Sequence, residues 1–173
     1  MEATLSSAVA MFRAADHYMS HSTSGLPAEM LTRRIGAANS ILWIAGHATV
    51  GRLRLLALLG EPDHIPWEAF FGKGSAEAMD RARPDLDAVL ARWRGTAKPL
   101  EQRLAALTAT ELSAALPYDL PTADPTLLGV VTYFAFHEAY HVGQIASMRK
   151  ALGRGLPRRT ADRASLRTSD HPH

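Results

Sequence analysis

The chain has 173 residues, of which 47% are hydrophobic and 21% charged, with a formal net charge of +2 and no cysteine. This composition favours one globular domain and excludes a fibrous or largely disordered chain. The lack of cysteine excludes disulfides, thiolate metal ligands and a cysteine nucleophile, and it is typical of a reducing compartment, so we expect a cytoplasmic protein. The apolar runs are too short for a membrane span, and the first residues do not resemble a signal peptide.

Basic residues are concentrated at the end of the sequence. From Arg149 onwards there are seven lysines and arginines against Asp162 and Asp170. A nucleic-acid-binding domain more typically spreads its basic side chains over a folded face. We therefore expect a domain over residues 1–153 followed by a basic, flexible tail over residues 154–173, and nucleic-acid binding is disfavoured.

The first half of the chain predicts two long helices. The first runs from about Ala3 to Ser20, and a short helix is expected at Ala28–Arg34. The second long helix begins near Asn39 and Ser40, both suitable N-caps, and stops at Gly60 and Pro62.

The second half of the chain predicts two more long helices. The third long helix has Pro84 near its start, and the fourth has Asp124 as the expected cap, Pro125 in its first turn and Gly153 as its stop. Four amphipathic helices with long connections predict an all-α four-helix bundle.

The fourth predicted helix contains the sequence HEAYHVGQI, from His137 to Ile145. Side chains four residues apart lie on one helical face with Cβ atoms about 5–6 Å apart, so His137 and His141 can bind one ion. His17 and His21 have the same spacing, but at a helix end where solvated imidazoles are favourable, so a metal role is not expected for them. The alternative for His137 and His141 is a pair of hydrogen-bonded core histidines.

The motif H-E-x-x-H also occurs in zinc metallopeptidases. That class needs a third ligand downstream, but Gln144 and Ser147 stand at the diagnostic positions and no glutamate follows Glu138. Upstream, His47 lies in similarly apolar surroundings next to Gly46, which permits close helix approach. We predict a three-histidine metal site of His47, His137 and His141, with His64 as a weaker candidate at its rim.

The segments NSILWIAGH and PTLLGVVTYFAFHEAYHVGQIASMRKALG resemble the DinB (DinB/YfiT-like) family of metalloenzymes over about Leu5 to Gly153. The resemblance implies an up-down-down-up bundle, often a homodimer. It also implies a site at His47, His137 and His141 for a divalent metal such as zinc, nickel or iron. Some relatives transfer a low-molecular-weight thiol to a small electrophile, including maleylpyruvate isomerases and bacillithiol transferases.

The resemblance has one departure. Several relatives place an acidic residue about four positions after the first histidine, where this chain has Gly51. Among further site candidates, Glu138 is a possible general base but is expected to face solvent, Gln144 could brace a ligand, and Tyr133 could offer a hydroxyl. Trp43 is expected to be pocket wall or core.

We therefore expect a metal-dependent enzyme, of the thiol S-transferase or hydrolase type, that acts on a small molecule. The alternative is a non-catalytic metal- or ligand-binding stress-response bundle. A metallopeptidase is much less favoured because the third ligand of that class is missing.

Overall fold

The computed structural model describes residues 3–72, 84–117 and 120–157. These ranges contain seven helices: α1 (Ala3–Thr23), α2 (Ala28–Leu31), α3 (Ile41–Leu58), α4 (Glu68–Phe71), α5 (Leu86–Ala106), α6 (Ala109–Ser113) and α7 (Leu127–Ala151). The four long helices have 21, 18, 21 and 25 residues. Because the described residues form no strand beyond one isolated bridge between Ala115 and Thr126, the predicted all-α class is confirmed.

The long helices pack side by side, α7 against α1 and α3, and α5 against α3 and α1. Their buried faces form two hydrophobic clusters. One contains side chains from the C-terminal halves of α1 and α7 and the N-terminal halves of α3 and α5: Met19, Ile145, Ile41 and Val89. The other contains side chains from the opposite halves: Leu5, Val131, Leu55 and Leu104. The up-down-down-up order that the resemblance implies remains a prediction.

The ends of α3 follow from local capping. Ser40 Oγ accepts a hydrogen bond from the Trp43 amide at 3.3 Å, as predicted for an N-cap. After the helix, Gly60 has a φ of 87°, a backbone conformation that favours glycine. The short α2 ends three residues earlier than predicted, and α1 extends three residues further, to Thr23.

The predicted start of α7 was wrong by two residues. The cap is Thr126, whose side chain accepts from the Gly129 amide, and the helix begins at Leu127. Asp124 instead accepts from the Thr126 amide at 2.9 Å and braces the preceding turn. The predicted stop is confirmed, because Gly153 follows α7 with a φ of 78°.

The connection from α3 to α5 folds back onto α3. Trp67 has a left-handed backbone, with a φ of 63°, and starts the single turn of α4. That turn buries Phe71 against α3, where it contacts Gly46. The described chain ends at residue 157, so most of the predicted tail of residues 154–173 lies outside it.

By length and composition α3 is apolar enough to cross a membrane, with a hydropathy of 1.3 over its 18 residues. However, 72% of that stretch is buried inside the bundle. The central helix of a packed bundle has the same properties, so α3 is explained by its place in the core.

Candidate metal centre

Three imidazoles from two helices converge at the middle of the bundle. His137 Nε2 on α7 lies 3.3 Å from His47 Nε2 on α3 and 3.1 Å from His141 Nε2, one turn further along α7. All three ligand atoms lie within 4.8 Å of one another. The structure therefore brings together the three histidines that the sequence singled out.

Two of the rings have their far nitrogen hydrogen-bonded to an oxygen. His47 Nδ1 lies 2.6 Å from the Phe71 carbonyl oxygen, and His141 Nδ1 lies 2.8 Å from Gln144 Oε1. Because a carbonyl oxygen only accepts, each Nδ1 carries the proton and donates it. The Nε2 lone pairs of His47 and His141 are then directed at the cluster centre, as metal ligation requires.

Two of the three separations between the imidazole Nε2 atoms fit a tetrahedral ion. Imidazole nitrogens bind zinc at about 2.0–2.1 Å, which places neighbouring ligand nitrogens about 3.3–3.4 Å apart. The separations of 3.3 Å and 3.1 Å are close to that value. Three imidazole donors suit zinc, nickel or iron, so this donor set fits the divalent metal that the resemblance implies.

The surroundings keep the three rings neutral at physiological pH. Burial, reinforced by the neighbouring histidines and the Arg54 guanidinium, lowers the pKa of His137 to about 3. Burial lowers the pKa of His141 to about 4. Burial also lowers the pKa of His47, against the effect of its hydrogen bond to Phe71. Neutral imidazole is the form that binds a metal, so protons compete weakly here.

The His47 ring is fixed from two sides. The Trp43 indole stacks on it with ring centroids 4.8 Å apart, and the Trp43 Nε1 donates to the Phe70 carbonyl at 3.0 Å. Gly46 admits the α4 turn, because a Cβ on it would lie only 2.5–2.6 Å from the Phe71 ring atoms. Trp43 is thus both a core residue, as expected, and a wall of the centre.

Glu138 does not face solvent, so that expectation was wrong. Its side chain is fully buried, and both carboxylate oxygens accept from Arg52, from Nε at 2.8 Å and from Nη2. Arg52 Nη1 also donates to Asp16, and its guanidinium lies 3.5 Å from the centroid of the Trp93 ring. Burial raises the pKa of Glu138 to about 7, and the Arg52 guanidinium opposes that shift. The Arg52 guanidinium on α3 therefore links α1 and α7 through Asp16 and Glu138.

The other two candidate site residues, Gln144 and Tyr133, lie beside the three histidines. Gln144 braces His141 and also donates through Nε2 to the Tyr140 hydroxyl at 3.1 Å. The Tyr133 ring lies 5.9 Å from the His137 ring, between centroids. Gln144 thus takes the bracing position that was considered for it, and Tyr133 lines an adjacent cavity.

His137 differs from its two partners. Its Nδ1 is buried and has no hydrogen-bond partner in the described part of the chain. Gly51 stands against this edge of the ring: a Cβ there would lie 3.1 Å from His137 Cε1 and 3.4 Å from Nδ1. Any side chain at position 51 would therefore meet the His137 ring directly.

The remaining histidine candidates lie elsewhere. His64 is exposed in the connection after α3, where its carbonyl accepts from Arg92. The His17 and His21 rings stack with centroids 5.7 Å apart, without a third ligand among the described residues.

Two cavities flank the histidines. One, of about 800 Å³, is bounded by His141, Gln144, Tyr140, Asn39 and Trp43; we call it the Gln144 cavity. The other, of about 520 Å³, is bounded by His47, His137 and Arg54 together with apolar side chains; we call it the Arg54 cavity. Both volumes are in the range of small-molecule sites.

Three contributors were missed by the sequence analysis. The Arg52–Glu138 pair had a signal, because both are charges inside otherwise apolar helices and buried charges need partners. Arg54 had a similar signal, because it is a second positively charged side chain in the apolar sequence of α3. The role of the Phe71 carbonyl could not be predicted, because every residue has a backbone carbonyl and the sequence does not show which one accepts a hydrogen bond.

Comparisons with known proteins identify a family and a similar fold. The sequence profile of the DinB superfamily matches residues 11–145, which is more than three quarters of the chain. No curated protein matches the sequence. A solved structure described as a conserved protein from Enterococcus faecalis is similar in fold: the TM-score is 0.67 at 12% identity, over 89% of this chain and 99% of that one.

Proposed function

The chain belongs to the DinB superfamily, and on that premise we propose that His47, His137 and His141 bind one divalent metal ion and that the protein uses it to transform a small molecule. The observation that carries the proposal is the convergence of three neutral imidazoles, two of them with Nδ1 hydrogen-bonded to an oxygen. Three protein ligands are typical of catalytic sites, whereas closed structural sites use four.

A bound divalent ion supplies Lewis acidity, which lowers the pKa of a thiol or water molecule placed next to it. The chain's own residues orient that centre. Phe71 and Gln144 hold the protons of His47 and His141 away from it, and Trp43 fixes the plane of the His47 ring.

Thiol chemistry fits the site better than hydrolysis. No carboxylate borders either flanking cavity among the described residues, and Glu138 is engaged by Arg52. Activating water is greatly helped by a general base, whereas a thiol, with a pKa of about 8.5, needs little help to ionise. We therefore propose transfer of a low-molecular-weight thiol to a small electrophile, with hydrolysis as the second candidate. In metallopeptidases the glutamate of H-E-x-x-H is the general base. Because Glu138 is bonded to Arg52, this function is disfavoured here.

The test is thiol consumption in the presence of small electrophiles, with zinc, nickel and iron supplied in turn. We expect turnover that requires metal, disappears with a chelator and is lost in His137→Ala. The control, His17→Ala, removes a histidine outside the centre and keeps full activity. Stoichiometric metal binding without turnover on any thiol or electrophile would support the non-catalytic alternative.

A further inference from the structure

Among its described lining residues, the Arg54 cavity has one charged group, and most of the others are apolar. Besides His47 and His137, its described lining consists of Gly51, Arg54 and the following side chains: Ala57, Leu58, Ile65, Leu120, Pro121, Tyr133 and Phe134. No acidic residue is among these described lining residues. The Gln144 cavity, by contrast, has no arginine, lysine, aspartate or glutamate in the part of its lining that the structure describes.

The helical register of α3 arranges this cavity. His47, Gly51, Arg54 and Leu58 follow one another at spacings of four, three and four, so they share one face of the helix. Gly51 lacks a side chain between the histidine and the arginine, and any Cβ there would press on the His137 ring at 3.1 Å. The glycine thus places no side chain of its own between His47 and Arg54 on this face of α3.

Arg54 is held by an ion pair with Glu68, and a ligand can take the place of Glu68. Its Nε and Nη2 both donate to one oxygen, Glu68 Oε1, at 3.1 Å and 2.5 Å. The Arg54 side chain is 38% exposed and that of Glu68 50%. An exposed ion pair of this kind contributes little to stability, whereas a guanidinium binds a carboxylate best through two parallel hydrogen bonds to its two oxygens.

From this arrangement we propose that the Arg54 cavity binds a small organic carboxylate with a flat apolar body. The carboxylate pairs with Arg54 in place of Glu68. The body packs against Tyr133 and Phe134 and points towards His47 and His137. Arg54 is then the residue that determines specificity for an anionic substrate, and this names the substrate class of the proposed function, on which it rests.

The experiment compares two probes of nearly equal shape, benzoate and benzamide, by ligand-observed NMR titration of the full chain with and without metal. We expect benzoate to bind about five- to tenfold more tightly than benzamide, a preference typical of a partly exposed charged hydrogen bond. Arg54→Gln abolishes the preference. Arg13→Gln, which removes an exposed arginine paired with Glu101 outside this cavity, keeps it.

A second variant is expected to bind benzoate more tightly than the wild type does. Glu68→Gln removes the internal competitor for Arg54, so benzoate binds several-fold more tightly while benzamide is unchanged. A purely structural role for the Arg54–Glu68 pair would not raise affinity. Equal binding of the two probes to the wild type, or an unchanged preference in Arg54→Gln, would overturn the proposal.

Measurement without metal separates the two proposals. If the chain binds no metal but chelator-treated protein still prefers benzoate through Arg54, the proposed function fails and the anion site stands. If the preference requires metal and survives Arg54→Gln, the carboxylate sits on the metal ion and the anion site is overturned.

Discussion

Single hydrogen bonds determine which nitrogen the His47 and His141 imidazoles offer. Gln144 Oε1 accepts from His141 Nδ1 at 2.8 Å, and the same amide donates to the Tyr140 hydroxyl. Gln144→Leu removes the acceptor at similar volume, so we expect zinc affinity to fall about 10- to 100-fold. Competition with a chromophoric chelator measures the affinity. Tyr140→Phe is the control, expected to change affinity by less than about threefold because His141 keeps its partner; wild-type affinity in Gln144→Leu would contradict this role.

The depressed pKa values predict weak proton competition for the metal. Three ordinary imidazoles, with a pKa near 6.5, would lose about 50-fold in apparent affinity between pH 7.5 and pH 6, because each must lose its proton. Here the pKa of His137 is about 3 and that of His141 about 4, so both remain neutral at pH 6. Only His47, whose pKa is also lowered, adds to the loss.

We therefore expect the apparent zinc affinity to fall less than about fourfold between pH 7.5 and pH 6, the most that one imidazole of ordinary pKa produces. The same chelator competition, repeated across this range, gives the value. A loss of tens of fold would show that the imidazoles are protonated as ordinary surface histidines are.

Among the helical elements, the contact of α3 with α4 fixes the His47 ring. A Cβ at position 46 would lie 2.5–2.6 Å from the Phe71 ring, so Gly46→Ala must displace the turn whose carbonyl holds His47. We expect both lower stability, by about 1–3 kcal/mol, and weaker zinc binding. Gly95→Ala in α5 is the matched control, because nothing lies within 4 Å of its Cβ. It should stabilise by up to about 1 kcal/mol and leave zinc affinity unchanged, as judged by urea unfolding and chelator competition.

The Arg52–Glu138–Asp16 network joins three helices without touching the centre. Arg52→Met leaves the fully buried Glu138 unpaired, and we expect a loss of about 3–5 kcal/mol in unfolding free energy near pH 8. Burial already raises the pKa of Glu138 to about 7, above its unfolded value near 4.5, so the folded variant gains a proton on acidification that the unfolded chain does not hold. The loss should therefore be smaller at pH 6 than at pH 8.

Urea unfolding at the two pH values tests this expectation. The control is Arg13→Met, which breaks an exposed pair with Glu101 and should cost no more than about 1 kcal/mol. An Arg52→Met variant as stable as the wild type at pH 8 would show that the network does not hold the helices together.

For the whole molecule, periodicity and capping residues predicted the four long helices, and spacing in apolar surroundings predicted the three histidines. The larger error arose where a long-range contact overrides a local rule, and a second one concerns a helix cap. Glu138 was expected in solvent because charged side chains are seldom buried, and its partner Arg52 stands 86 positions earlier on another helix. Asp124 was expected as the cap, but Thr126 lies closer to the first helical turn. The homodimer, the cytoplasmic location and the flexible tail remain predictions.

The two i,i+4 histidine pairs of this chain permit a direct test of the central claim, that the centre binds metal through its specific convergence. After zinc loading and desalting, native mass spectrometry counts the ions bound to the wild type and to two matched double variants. We predict one zinc per chain in the wild type and in His17→Ala/His21→Ala, and almost none in His137→Ala/His141→Ala. Equal zinc in all three proteins, or none in the wild type, would contradict the three-histidine centre.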